Sequence, residues 1–202
     1  GSVTPGVLLL AGVSSDQHVS MDRYARELFA ALGCAAGPSR SIALEQPVSR
    51  QYVSRLIDGP QTRRIDSAWF RYVAYPRSLR ARREAVYHIL DHGYAQLIRS
   101  VDPARTVVTC HDVIPLLAAE GIVPIQVPAT LKRTFKARMA YLAKARTVIA
   151  VSAATRDTLT RYTAVPADRI VVVPNGVNAT FRPMPQAAAT RRASAGLGPD
   201  AR

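Results

Sequence analysis

The chain carries short apolar runs at intervals along its length, and these restrict its fold more than any other feature. Val7 to Val13 (VLLLAGV), Thr106 to Cys110 (TVVTC), Thr147 to Val151 (TVIAV) and Ile170 to Val173 (IVVV) show none of the strict polar alternation of a half-solvated strand. A strand buried on both faces reads this way, so each run is expected inside a parallel sheet. Ser41 to Leu44 and Ala85 to Leu90 (AVYHIL) are weaker strands of the same kind. Between them the period becomes helical. Met21, Tyr24, Ala25, Leu28, Phe29 and Leu32 form one apolar stripe, with Asp22 in the first turn and Gly33 placed to end the helix. A short helix is expected around Tyr94 to Arg99. Another starts near Ala129, with Leu131, Phe135, Met139 and Leu142 on one face and Lys132, Arg133 and Lys136 on the other. Ser152 is placed to cap a last helix that fades near Tyr162.

Strands alternating with helices imply right-handed crossovers and a parallel sheet covered on both faces, a Rossmann-like α/β domain. Gly1 and Ser2 match the remnant of a removed tag, so the domain is expected over residues 3–183. Residues 184–202, opened by Pro183 and Pro185 and rich in Ala, Arg and Gly, read as a linker or the first turn of a following domain. The stretch from Arg50 to Arg83 is basic and aromatic, and is expected to be helix and loop.

Composition narrows the partners. There are 27 Lys and Arg against 14 Asp and Glu, a formal charge of +13. Such a surface attracts phosphates, nucleic acid or anionic lipid, although an Ala- and Arg-rich composition also follows from a GC-rich genome without functional pressure. Nucleic acid is not the expected partner, because no helix-turn-helix, RNP or zinc-finger pattern accompanies the charge. Cys34 and Cys110 stand alone, which fits neither a metal site nor a disulfide framework. The N-terminal apolar run lacks a basic leader and is too short to span a bilayer, so a cytoplasmic protein is expected.

Ligands of open parallel sheets bind at the carboxyl ends of the strands. A nicotinamide or flavin site is excluded there, since Gly12-Val13-Ser14-Ser15-Asp16-Gln17 holds one glycine where three are needed. No Walker A loop and no G-x-S-x-G elbow occurs in the sequence.

Three segments in order carry a positive signal: YHILDHGYAQL from Tyr87, VVTCHDVIPLL from Val107, and VIAVSAATRDTLTRYTAVPADRIVVVPNGV from Val148, followed by FRP at Phe181 to Pro183. Together they resemble the N-terminal domain of the family 4 glycosyltransferases of the GT-B fold. The resemblance implies an acceptor-side half of a retaining enzyme that moves a hexose from a nucleotide diphosphate sugar to a saccharide or lipid-linked acceptor. In that family the C-terminal domain grips the donor through paired glutamates and an Arg/Lys pair, none of which is present here. No cofactor is therefore expected in this domain, and the isolated domain is expected to be inactive. The other reading is a stand-alone or split-enzyme domain that binds a saccharide or anionic lipid without catalysis of its own.

The resemblance also orders the candidate residues. His111 comes first, as the histidine of the family's His-Asp motif. It would either hydrogen-bond the transferred sugar or accept the acceptor hydroxyl's proton, which suits an imidazole. Asp112 either caps or orients its loop or takes part in the reaction, and Asp91 and His92 form a second polar pair, for acceptor contact or loop structure. Ser152 ends the next strand, and Asn175-Gly176 reads as a turn into the interdomain hinge or a contact to the donor sugar; with Ser20, Met21, Asp22 and Arg23 these residues are the acceptor- and sugar-binding candidates. Relatives often place glycines ahead of the first helix's Arg-Tyr, whereas Ser20, Met21 and Asp22 precede Arg23-Tyr24 here. Asp22 is expected to cap the helix or bond an acceptor hydroxyl. His18 and His88 read as structural. Trp69, Arg71, Arg77, Arg80, Arg82 and Arg83 mix aromatic and basic character suited to an anionic membrane interface, which would place the protein peripherally on the inner face of the plasma membrane.

Overall fold

The computed structural model describes residues 6–13, 19–37, 40–48 and 59–176. Of the expectations above, His18 and the rest of residues 14–18, the FRP segment and the 184–202 linker lie outside the described residues. Six strands form one sheet: β1 (Val7–Leu10), β2 (Ile42–Glu45), β3 (Val86–Ile89), β4 (Thr106–Cys110), β5 (Thr147–Ala150) and β6 (Ile170–Val172). Every neighbouring pair is parallel, in the order β2-β1-β3-β4-β5-β6. The fold is the expected Rossmann-like one. Because the order reverses between β1 and β3, a crevice opens at the carboxyl ends of those two strands.

The apolar runs are longer than the strands they contain. Ala11 to Val13, Val151 and Val173 lie past the last paired residue and form the carboxyl-end rim. Alternation along each strand divides two cores. Leu8, Leu10, Tyr87, Ile89, Val108, Cys110, Val148 and Ala150 belong to the larger core. Leu9 faces the other way with Ala11, Ala25 and Leu90, joined by Tyr24, Leu28 and Leu32 of α1 (Val19–Ala36). That second face is less completely covered toward β6, where Val171 is 48% exposed.

Helix α1 starts two residues before the apolar stripe and runs straight through Gly33 to Ala36. Gly33 sits on an exposed side with open space where a Cβ would point, so the helix tolerates it. Gly37, at φ +62°, is the residue that leaves the helix, a conformation that glycine adopts without strain.

Residues 50–58 of the basic, aromatic stretch lie outside the described residues; from Pro60 it forms α2 (Pro60–Trp69), a π turn (Phe70–Ala74) and α3 (Tyr75–Leu79) in continuous succession. Pro76 explains the widened turn: it has no N–H to donate, and its ring crowds the carbonyl four residues back. A 3₁₀ segment (His92–Ser100) follows β3, and α4 (Ile114–Ala119) occupies the Pro-containing stretch after β4. On α5 (Ala129–Leu142), Met139 and Leu142 are buried and Phe135 is half-buried, while the Leu131 side chain lies outside the described residues. Ser152 caps α6 (Ala153–Tyr162), its Oγ accepting the Thr155 N–H at 3.0 Å.

Two buried tyrosines fix the rim of β1. The Val13 N–H donates to the Tyr94 hydroxyl at 3.0 Å, and the Tyr75 hydroxyl donates to the Ala11 carbonyl at 3.1 Å. Between them, a Cβ on Gly12 would lie 2.9 Å from Cε2 of Tyr94, closer than real Cβ contacts come. Gly12 therefore makes room for a tyrosine ring.

Tyr94→Phe keeps the ring and strands the buried Val13 N–H without its acceptor. Urea unfolding of this variant is expected to show a loss of about 1–3 kcal/mol. A loss below about 0.5 kcal/mol would show that the rim does not depend on this bond.

Candidate functional site

At the crevice between β1 and β3 lies a cleft of about 330 Å³, lined by Ser20, Met21, Arg71, Asp91, His92, Gly93, His111, Asp112, Val113, Pro115, Leu116, Phe135, Arg138 and Met139. Its residues come from the start of α1, the π turn, the rims of β3 and β4, and the middle of α5.

His111 leaves the end of β4 and turns its ring toward the rim of β3. Nε2 lies 2.9 Å from the Leu90 carbonyl oxygen. A carbonyl only accepts, so Nε2 carries the hydrogen and Nδ1 is the ring atom left to accept a proton or a hydroxyl. The Tyr24 ring packs edge-on against His111 with centroids 4.7 Å apart, which fixes the imidazole from the α1 side. Among the described residues, no group of three or more His, Cys, Asp and Glu could hold a metal ion.

The two aspartates shape their own loops. Asp91 Oδ1 accepts the Gly93 N–H at 2.7 Å, and Asp112 Oδ1 accepts the Ile114 N–H at 3.2 Å. Local bonds of this kind are what an Asp beside a turn commonly makes. His92 Nδ1 lies 3.4 Å from Asp91 Oδ1 but forms no hydrogen bond, although the atom is buried.

Two arginines bring positive charge to the cleft. Arg71 does not point outward with the rest of the basic stretch. Its Nη2 donates to the Gly93 carbonyl at 2.6 Å, and its guanidinium lies 4.1 Å from the centroid of the Tyr94 ring. The π turn carries Arg71 to this inward position. Arg138 donates from Nη2 to the Tyr72 hydroxyl at 2.9 Å, which holds α5 against the same turn.

The structure thus gathers Ser20, Met21, Asp91, His92, His111 and Asp112 in one cleft and leaves other candidates outside it. Asp22 is not among the residues lining the cleft, and its carboxylate takes a hydrogen bond from Gln46 Nε2 at 2.5 Å. Arg23 pairs with Glu27 one turn along, on the exposed side of α1. Ser152 is occupied in capping α6, and Asn175 and Gly176 follow β6 at the far edge of the sheet. The basic stretch separates in the same way. Trp69 is 54% exposed, Arg77, Arg80, Arg82 and Arg83 are exposed, and Arg82 pairs with Glu45 at 3.2 Å. Arg138, Phe135 and Met139 entered the cleft without being singled out by sequence. Their signal was the helical spacing of α5, which reads as core and surface rather than as a site.

A parallel sheet with a polar cleft of mixed charge at its switch point defines an α/β ligand-handling domain, in which chemistry sits at the strand ends. The chain belongs to glycosyltransferase family 4, whose family model (Glycosyltransferase Family 4) matches residues 22–181. Among solved structures it is similar to sucrose-phosphate synthase from Thermosynechococcus elongatus, at 18% identity with a TM-score of 0.62. The similarity covers 97% of this chain and 53% of that one, so this chain spans about half the length of that glycosyltransferase. No curated protein sequence matches it.

The histidines near the cleft differ in surroundings. His88, on β3, is buried, and its Nε2 shares a 2.8 Å hydrogen bond with Thr109 Oγ1. Burial, then the neighbouring His111, push its imidazole down to about 4. Burial likewise lowers His92, and the attraction of Asp91 and Asp112 does not outweigh it; His111 and Arg138 lower it further. Both are neutral at pH 7. Burial also pushes the Cys110 thiol up to about 12, so it is not a nucleophile at neutral pH.

A histidine held below its unfolded value stabilises the fold fully above about pH 6.5. That contribution is lost as pH falls toward 4, because the unfolded chain then binds the proton first. For His88 it amounts to roughly 3 kcal/mol across this window. Urea midpoints are expected to fall between pH 7 and pH 4.5, and His88→Gln to flatten the fall. An equal slope in that variant would place the titration elsewhere.

Proposed function

We propose that this chain is the acceptor-binding half of a retaining hexosyltransferase that uses a nucleotide diphosphate sugar. The observation that carries the proposal is the convergence of His111, His92, Asp91 and Asp112 with Arg71 and Arg138 in one cleft, in a chain of glycosyltransferase family 4. A hydroxyl-rich acceptor fits its chemistry. Asp and His supply acceptors and donors for sugar hydroxyls, while Met21, Val113, Leu116, Phe135 and Met139 give the apolar wall on which a sugar ring rests and from which water is excluded.

In this reading Nδ1 of His111 faces the reacting hydroxyl, with Nε2 tethered to the Leu90 carbonyl so that the ring cannot turn away. It either takes the hydroxyl's proton or holds the incoming hexose by a hydrogen bond; both require the same fixed orientation. Arg71 and Arg138 supply a positive field for negative charge on the acceptor or for charge that develops as the diphosphate departs. The donor is gripped by a second domain or partner chain, as the half-length match to sucrose-phosphate synthase suggests.

The test is a screen of nucleotide diphosphate sugars against the full-length protein, followed by His111→Ala. Turnover is expected to fall by at least about a hundredfold, and the 202-residue chain alone to transfer no sugar. Unchanged turnover would return His111 to a structural role. Saccharide binding without transfer from any donor would favour the stand-alone binding domain.

A peripheral membrane contact is a second reading, and one observation favours it. Ile65, Trp69 and Val73, spaced four residues apart, are 55%, 54% and 38% exposed beside Arg64, Arg77 and Arg80, an amphipathic surface suited to anionic lipid. Among the described residues no helix is long and apolar enough to cross a membrane. This surface would hold the cleft at the membrane face where lipid-linked acceptors lie. Flotation with anionic vesicles at low salt is expected, and Ile65→Glu with Trp69→Glu should abolish it. Absence of flotation in the parent chain would remove this reading.

A further inference from the structure

A second cavity, of about 510 Å³, opens between the π turn with α3, the 3₁₀ segment after β3, and α5. It is larger than the cleft at the strand ends and is lined by a different set of residues, with Arg138 common to both. Three guanidinium groups border it, from Arg80, Arg99 and Arg138, and none of its lining residues is acidic. None of the three arginines is ion-paired with a carboxylate among the described residues. Some cations elsewhere do have such partners, as Arg82 does with Glu45 and Lys136 with Glu120. Uncompensated like charges in a concave site repel one another and concentrate anions.

The floor of the cavity adds a second observation. Gln96 is 8% exposed, and neither its amide nitrogen nor its amide oxygen has a hydrogen-bond partner. Buried polar groups are ordinarily paired, so an orphaned amide beside three cations needs a reason. The Tyr72 hydroxyl, already bonded to Arg138, sits at the same wall. Three guanidinium groups with further N–H and O–H donors and no competing carboxylate suit a multiply charged oxyanion such as a phosphate better than a singly charged carboxylate.

We propose that this cavity is a binding site for a phosphate-bearing polar ligand, built by Arg80, Arg99, Arg138 and Gln96 and sharing only Arg138 with the acceptor cleft. Its volume admits more than a bare phosphate, and the chemistry is shared by a soluble sugar phosphate and a phospholipid headgroup. The site stands whether or not the cleft transfers sugar.

The test uses the 202-residue chain and inorganic pyrophosphate as probe. Thermal unfolding is expected to rise saturably with pyrophosphate and not with acetate at equal ionic strength. Arg80→Ala with Arg99→Ala, both at exposed positions, should weaken the pyrophosphate response at least about tenfold. Arg161→Ala, on the outside of α6, should leave it unchanged. Gln96→Leu should raise the Tm of the free chain, by removing the orphaned amide, and weaken the probe. Displacement of pyrophosphate by a hexose 6-phosphate identifies a soluble ligand, and displacement by phosphatidylglycerol vesicles alone identifies a headgroup; either supports the site. No saturable response, or an unchanged one in the double variant or in Gln96→Leu, overturns it. Because no sugar transfer is measured, failure here is distinct from failure of the glycosyltransferase reading.

Discussion

The rim of β1 is the constraint on which the rest depends. A parallel strand ends with backbone groups that no neighbour pairs, and burying them unpaired is costly. Here Tyr94 and Tyr75 reach up from the helical layer and take over two of them, at Val13 and Ala11. Gly12 lets the Tyr94 ring come close enough to do so. The same ring supports the Arg71 guanidinium on its face, and Arg71 in turn holds the Gly93 carbonyl. One aromatic ring thus ties the switch-point crevice to the π turn that forms its wall. Glycine at this position in a dinucleotide fold lets a phosphate approach backbone; in this chain it lets a side chain approach.

The electrostatics of the crevice follow from that scaffold. With Arg71 and Arg138 beside it, a protonated His92 would be a third cation in a buried space, and burial already disfavours the charge. Burial therefore keeps His88 and His92 uncharged at neutral pH, and the permanent positive charge resides on arginine. This division leaves His88 and His92 neutral, with Arg71 and Arg138 the cations of the cleft. Cys110, at the end of the same strand as the catalytic candidate, is insulated by burial and by Asp112 and Asp91.

Much of the fold was legible in the sequence because a doubly buried parallel strand is written mostly as an apolar run, interrupted here only where a polar side chain finds a partner, as His88 does in Thr109. The runs at β1, β4, β5 and β6, the Ser152 cap and the polar pairs at the strand ends all follow from local rules. What was not legible depended on contacts between distant segments. Gly33 obeys the spacing of a helix end, yet nothing packs against it and the helix continues to Gly37. Arg71 belongs by composition to an exposed basic stretch; only the widened turn ahead of Pro76, and a tyrosine 23 positions further on, turn it inward. Arg138 reads as one of several cations on a solvated helix face until Tyr72 and the cleft are brought beside it. The partner of Asp22 is Gln46, a residue with no local pattern of its own.

Arg138 borders both cavities. Its Nη2 is held by the Tyr72 hydroxyl, while its Nε is buried and without a partner. A ligand in either space would find the same guanidinium, so occupancy of one changes the donors left for the other. Coupling of that kind is reciprocal by thermodynamic necessity, and its sign is set by whether the two ligands share or compete for the charge. Two anions compete, whereas a neutral acceptor in the cleft and a phosphate in the outer cavity share the residue without conflict. A substitution at Arg138 therefore perturbs both spaces and distinguishes neither. His111 belongs to the cleft alone, and Arg80 and Arg99 to the outer cavity alone. The topology separates these probes, since the first sits at the carboxyl end of β4 and the others lie on the helical layer below it.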